Sequence, residues 1–484
     1  MHLNNFQKCF LIIVLFLLNS FVGISKALPD DQAYDRSGLR GQDRPKWKFL
    51  RFEEDWSGMK EIPKTQRTAP FDSLKYIPLT DDGKLWLSFG GRMRFRVESW
   101  SDFAFADPND DTFFLSRYFL HSDLHLGDNL RVFVEGKSAH STTRDLPGGE
   151  RTMDVDQLEL QQAFVDIRIP FGDKATFTIR PGRRELLKGK QRLVSPLPWG
   201  NTLRHWDGVS GILDIDGWNV EGFWTQFVPV QKRDFNEPDP DNLFFGIYGT
   251  GNIANGQIDM DLYWLGIDRK NRTFNGTAGD EERHTLGVRL EGKVPNTYFD
   301  YELEGAYQFG TMGSGNISAY MVATQVGYKR ADWRGQPRFF LGFDYASGDD
   351  ASGGDVETFN QLVPLGHAHL GFMDFTGRQN NVDFSHGVAI HPIKNMTFAI
   401  TGHKFLRADA DDALYTAGGG VLRAGSLGSS HDVGYEIDLT DKYKFNRNVI
   451  GLIGYSHFFA GNFIEESGSN DDIDFIYVMG IYTF

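Results

Sequence analysis

The dominant regularity of this chain is an alternation of apolar and polar positions that begins near Lys84 and recurs to the last residue. In "LWLSFGGRMRFRVESW" (residues 85–100), Leu85, Leu87, Phe89, Met93, Phe95 and Val97 share one parity, and Arg92, Arg94 and Arg96 share the other. A period of two describes a β-strand with two unlike faces. In residues 113–126, Leu120, Leu124 and Leu126 oppose Arg117, His121, Asp123 and His125. In residues 130–138, Leu130, Val132 and Val134 oppose Arg131, Glu135 and Lys137. In residues 284–293, Leu286, Val288 and Leu290 oppose Arg289, Glu291 and Lys293, and "YFDYELEGAYQF" (298–309) repeats the arrangement with Asp300, Glu302, Glu304 and Gln308. Such runs number about eighteen, within the even series of single-chain outer-membrane barrels.

The connections also alternate. Short links at 127–129 ("GDN"), 170–173 ("PFGD"), 294–296 ("VPN") and 392–395 ("PIKN") interleave with long ones at 141–156, 185–204, 349–383 and 408–429. Short periplasmic turns and long extracellular loops are the pattern of a membrane barrel. The chain closes on "DFIYVMGIYTF", with Ile476, Val478 and Tyr482 on one face and Phe484 last. A terminal aromatic strand of this kind is what the barrel-assembly machinery takes up. The expected fold is therefore all-β: a single transmembrane antiparallel barrel whose apolar face meets lipid and whose arginines face the lumen. An open sheet would leave backbone groups unpaired in hydrocarbon, so the 84–100 strand is expected to pair with the 472–484 strand.

The ends refine this picture. Lys8, the apolar run at 10–18 and the small residues Ser25 and Ala27 read as a cleaved secretory signal over residues 1–27, too short to span a bilayer as a helix. Residues 28–83 are rich in Pro, Asp, Lys and Trp without a sustained period, and read as an irregular periplasmic arm; residues 84–484 form the barrel. The arm is too short for the plug domain of a larger transporter. The one cysteine, Cys9, lies in the signal, which excludes a disulfide, a thiolate metal site or a cysteine nucleophile from the remainder. The net charge of −15 argues against nucleic acid as a partner, and removing Lys8 and Lys26 makes the rest more acidic still. The expected address is the outer membrane of a Gram-negative bacterium.

At this point the chain resembles the alginate export family of outer-membrane barrels. The resemblance is carried by residues 75–98, 117–139 ("RYFLHSDLHLGDNLRVFVEGKSA"), 160–169, 180–196 ("RPGRRELLKGKQRLVSP"), 261–270 and 455–468 ("YSHFFAGNFIEESG"). It implies a monomeric barrel of about eighteen strands that passes an acidic polysaccharide through an arginine-lined constriction. It also makes Arg183, Gln191 and Arg192 candidates for the solute path, and on the late strand 448–458 it leaves only His457 where a basic pore residue is sought. With the residues read from the pattern, the expected path comprises Arg92, Arg94, Arg96, Arg117, Lys137, Arg180, Arg183, Gln191, Arg192, Arg204 and Arg289. Guanidinium groups in a narrow lumen bind carboxylates and set anion selectivity. The competing reading is that the arginines pair with lumenal acids such as Asp123 and Glu135.

Other motifs are weaker. His367, His369 and Asp374 lack further metal-ligand spacing, and 346–355 lacks the spacing of a calcium loop, so no cofactor or metal is expected. "GSSH" at 428–431 is no hydrolase signature, because a triad is defined by geometry and no G-x-S-x-G elbow occurs. "GTGNIANG" at 249–256 is a turn between strands, with no βα unit to make it a phosphate loop. The expected function is a channel, not an enzyme, for an anionic or polyhydroxylated solute such as a polysaccharide or oligosaccharide. The alternatives are a general uptake porin and a barrel that only anchors an enzyme or surface-binding loops. Either the long loop 185–204 or the long loop 349–383 is expected to fold inward and narrow the lumen, the first carrying Lys188, Lys190, Arg192 and Arg204 as a charged filter.

Overall fold

A computed structural model describes residues 44–67, 69–351, 353–426 and 428–484. The expected signal and the first part of the arm lie outside these residues. Eighteen long strands form one antiparallel sheet closed on itself. They are β1 Leu85–Ser101, β2 Asp111–Leu126, β3 Leu130–Ser141, β4 Asp156–Phe171, β5 Ala175–Arg184 and β6 His205–Ile215. Then follow β7 Trp218–Val228, β8 Asn242–Ile253, β9 Ile258–Phe274, β10 Thr277–Lys293, β11 Phe299–Met312 and β12 Gly315–Lys329. The last six are β13 Arg338–Ala346, β14 Asn381–Ile390, β15 Met396–Arg407, β16 Asp432–Lys444, β17 Val449–Ala460 and β18 Ile473–Thr483.

Each strand pairs with its sequence neighbours, and closure comes from β1 against β18, with Arg92 opposite Thr483 and Ser101 opposite Asp474. Burial is inverted relative to a soluble sheet. Leu341 is 70% exposed and Leu158 64%, whereas Arg283 is fully buried. The apolar parity faces outward and the charged parity faces the lumen.

Every periplasmic connection is short, and the tightest is Asp216–Gly217, where both residues have positive φ (47° and 83°). That is the two-residue turn whose twist matches the flanking strands. The outer connections depart from the expected alternation at two places. Asn275–Gly276 and residues 313–314 close β9–β10 and β11–β12 almost without a loop. Strands β9 and β10 are 17 residues each, so the wall itself rises where a loop was expected.

The lumen is filled. One apolar cluster, including Trp100, Phe105, Leu370, Phe375, Phe405 and Phe475, occupies the outer end beside β1, β2 and β15–β18. A second, including Leu193, Val194, Trp206, Phe244, Met321 and Phe359, lines β6–β13. The arm docks at the periplasmic end. Arg51 donates to the carbonyls of Gly91 and Phe484, both at 2.9 Å, and so grips the two strands of the closure seam. Phe52 packs edge-on against Phe164 (5.0 Å), and Trp47 donates to the Arg447 carbonyl at 2.9 Å.

Lys75 lies in the same docked arm, over the Trp56 ring at 4.7 Å, and donates to the Phe89 carbonyl. Burial, then the nearby Arg51, lowers its pKa from 10.5 to about 7. The unfolded lysine then binds more protons than the folded one between about pH 7 and 10.5, so stability rises with pH through that window. The midpoint of the heat-induced gel shift is expected to climb from about pH 7 to about pH 9 in the wild type. Lys75→Met should flatten that slope; an unaltered slope would show that another group sets it.

Candidate functional site

The inward loop 185–204, between β5 and β6, crosses the lumen from β7, β10 and β11 to β1 and β2. Its first half binds the wall by charge. Lys188 pairs with Glu221 of β7, Lys190 with Glu291 of β10 at 2.8 Å, and Arg192 with Glu302 and Glu304 of β11. Burial opposes the charge of Arg192, but Asp344, Glu302 and Glu304 outweigh it and hold the guanidinium above the ordinary arginine range. The cations expected to form an open filter are thus consumed as ties to the barrel wall.

The tip of the loop, "PLPWGN" (196–201), reaches the arginine row of β1 and β2. Arg94 donates to the carbonyls of Pro198 (2.8 Å), Trp199 (3.0 Å) and Gly200 (2.9 Å), and to the Asn201 side chain (3.1 Å). Arg117 donates to Pro198 and Gly200, the latter at 2.7 Å. Arg96 donates to the Trp199 carbonyl at 2.8 Å, lies 3.8 Å over the Trp199 ring, and pairs with Glu98 at 2.6 Å. Lys137 holds the next residue, through the Thr202 carbonyl, and pairs with Asp156 at 2.8 Å. Asn201 locks the tip from its other side by donating to the carbonyls of Ser116, His140 and Asp154.

A second inward loop, 347–380, joins the first. Val194 and Val363 form a parallel bridge, in which Ser195 N donates to the Val363 carbonyl at 2.8 Å and Val363 N to the Leu193 carbonyl at 3.0 Å. The Gln191 carbonyl accepts from Leu365 N, and Arg204 donates to the Pro364 carbonyl at 2.8 Å. Burial lowers the Arg204 pKa to about 10. His367 stacks on Trp199 at 3.7 Å, so the indole is clamped between Arg96 and an imidazole from the other loop. The second loop is itself held by Arg378 to Asp344 (2.8 Å) and by Met373 N to Glu436 (3.0 Å). His369 contacts the Lys190 carbonyl, and among the described residues no group of three or more metal-ligating side chains comes together.

The remaining expected path residues divide. Arg180 and Arg289 are lumenal and paired, with Asp166 and with Asp261 at 2.7 Å. Arg92 is lumenal but has no ion pair among the described residues; its guanidinium lies between the rings of Phe49 and Phe119, at 5.0 and 5.1 Å. Arg183 sits opposite Ala163 and Asp207 near the outer end of β5 and is tied to Asp207 and Glu159. His457 is on the outward face, hydrogen-bonded to Asp474 at 2.8 Å. The acids weighed as ladder partners are engaged elsewhere: Asp123 with Arg131, and Glu135 with His121 and Gln162. Trp199 and Asn201, central here, carried no signal beyond a Pro- and Gly-rich stretch.

Beneath the loop, the periplasmic half keeps two open cavities. One, of about 800 Å³, is lined by Glu53, Arg180, Arg184, Lys188, Glu221 and Tyr248. The other, of about 810 Å³, is lined by Lys190, Glu291, Lys293, Asp300, Glu302 and Arg338.

The alginate export family model matches residues 85–476, nearly the whole barrel. The chain belongs to the alginate export family. Among solved structures it is similar to OccK2 (OpdF) of Pseudomonas aeruginosa in complex with glucuronate, at 11% identity and TM-score 0.53, covering 82% of this chain and 98% of that one. It is similar also to a BenF-like porin from Pseudomonas fluorescens, at 9% identity and TM-score 0.55, covering 82% and 98%. Pseudomonas aeruginosa OprD matches at 12% identity and TM-score 0.53, covering 82% and 95%. At these identities the likeness is one of fold. No curated protein matches. As a member of the family with a porin fold, the chain is an outer-membrane channel for anionic or sugar-like solutes.

Trp199→Ala combined with Asn201→Ala removes the clamp and four hydrogen bonds at the tip. Each buried carbonyl so orphaned costs about 1–3 kcal/mol. Single-channel conductance is expected to rise while the barrel still assembles, because no lipid-facing residue changes. Conductance equal to that of the wild type would mean that the tip does not set the aperture.

Proposed function

We propose that the chain passes an acidic polysaccharide or oligosaccharide across the outer membrane, and that loop 185–204 is a gate which this solute opens by competing for the arginines of β1 and β2. The observation that carries the reading is the convergence of Arg94, Arg96 and Arg117 on three neutral main-chain carbonyls of residues 198–200. These oxygens occupy donors that suit a carboxylate. A carboxylate offers a guanidinium a full opposite charge and a bidentate fit that neutral carbonyls lack. A uronate chain entering the lumen therefore gains on the arginines what the loop tip loses, and the tip is displaced.

The two periplasmic cavities give such a chain room to approach the loop from below. A solved porin of similar fold is in complex with glucuronate, which supports the same solute chemistry here. The family supports export as the direction. Assembly through the Phe484 strand and work as a monomer belong to the same reading.

Arg94→Ser with Arg117→Ser tests it. Both side chains are lumenal, so lipid contacts are untouched and the folding cost is modest. In planar bilayers the double variant is expected to show higher basal conductance, a smaller anion preference in the reversal potential and weaker block by short mannuronate oligosaccharides. Unchanged reversal potential and unchanged block would remove these arginines from the solute path.

A further inference from the structure

Most lumenal cations are paired with carboxylates, as Arg180 with Asp166 and Arg338 with Asp300 illustrate. The periplasmic rim is different. Lys293, Lys329, Lys394 and Lys442 make no side-chain hydrogen bond or ion pair among the described residues. Two of them line a cavity of about 700 Å³ between the β12–β13 turn, the β14–β15 turn and the end of β16, with Trp333, His391, Asn395 and Lys444. Trp333 is 48% exposed, and the Arg330 guanidinium, itself paired with Asp332, lies 4.6 Å over its ring. Lys293 and Lys329 line the neighbouring cavity of about 810 Å³, which leads to Lys190 of the gate loop.

On the extracellular rim a group of acids stands together. Asp102, Asp107 and Asp110 of the β1–β2 loop stand near Asp471 of the β17–β18 loop, and Asp107 N donates to Asp471 at 3.1 Å. Burial, and then Asp110, Asp471 and Asp107, push the Asp102 carboxyl above its usual range, which shows how crowded this acidic rim is. These acids disfavour a polyanion at that point, whereas the unpaired lysines between the β12–β13 and β14–β15 turns favour one.

We propose that the cavity lined by Trp333, Lys394 and Lys442 is the capture site for the acidic sugar units of the solute on the periplasmic side. The lysine ammonium groups take carboxylates, and the indole offers an apolar face to a sugar ring. Paired cations cannot do this without breaking a bond already made; these two can. The site rests on the acidic-polysaccharide reading above and adds to it a point and side of entry. Charged clefts raise the on-rate of an oppositely charged ligand by about 10–1,000-fold, chiefly by steering it.

The test uses the full chain in planar bilayers, with Lys394→Gln plus Lys442→Gln against the wild type. Both are first checked for the heat-modifiable gel shift of an assembled barrel. Short mannuronate oligosaccharides are added to either chamber, and maltooligosaccharides serve as the neutral probe. From the periplasmic side the on-rate of mannuronate block is expected to fall about tenfold in the variant, while block by the neutral sugar stays unchanged. From the extracellular side the mannuronate on-rate should hold. Trp333→Ala should shorten the periplasmic block without altering its salt dependence. Equal on-rates in variant and wild type, or an equal fall from both sides, would overturn the capture site and leave the gate reading standing. If phosphatidylglycerol vesicles stabilise the wild type but not the variant while block is unaltered, the lysines serve lipid and the proposal falls. A wild type that mannuronate never blocks overturns the gate reading and this site with it.

Discussion

Everything in this protein follows from pairing every backbone N–H and C=O group within the bilayer. Hydrocarbon offers no partner, so the sheet must close, and it does so through β1 and β18, with Val97 opposite Val478 in the middle of the seam. Closure turns the usual order of burial inside out. Leu120, Leu262 and Leu341 point outward because lipid is their solvent, and Arg94, Glu135 and Asp166 point inward because the lumen is the one place where charge can be hydrated or paired.

An eighteen-stranded barrel encloses more space than its wall side chains fill. The chain supplies the missing volume from segments that are not strands, among them the arm, loop 185–204, loop 347–380 and the β1–β2 loop. Their docking follows a division of labour. Apolar side chains such as Leu193, Val194 and Phe359 fill volume against one wall, and Phe105, Leu370 and Phe375 against the other. Between these clusters runs a polar seam of guanidinium, ammonium and carboxylate groups. Breaking one partner of a buried pair costs about 3–5 kcal/mol, so each tie fixes where its loop can sit.

The ties are of two chemical kinds, and the difference bears on function. Lys188, Lys190 and Arg192 hold the first half of the loop to carboxylates, which no passing anion easily replaces. Arg94, Arg96 and Arg117 hold its tip to neutral carbonyls. The loop is therefore anchored firmly along β7, β10 and β11 and held by weaker acceptors at β1 and β2.

The sequence by itself determined the barrel. A period of two in 85–100, 130–138 and 284–293 assigns each side chain to one of two faces, and the bilayer decides which face is which. That logic assigned Arg92, Arg94, Arg96, Arg117, Lys137 and Arg289 to the face that the structure turns towards the lumen, and it left open whether 185–204 or 349–383 folds inward, where the structure has both. The expected alternation of short and long connections did not show that Asn275–Gly276 closes a tight outer turn, because strand length there is set by the wall and not by the pattern within a strand. What only the tertiary structure decided is which groups meet across the lumen. Alternation is a local property of a strand, whereas the bonds from Arg94 and Arg117 to residues 198–201 span about a hundred positions of chain and depend on the barrel having first closed. Trp199 and Asn201 have no period and no charge to announce them, because their roles exist only where two loops and two strands converge.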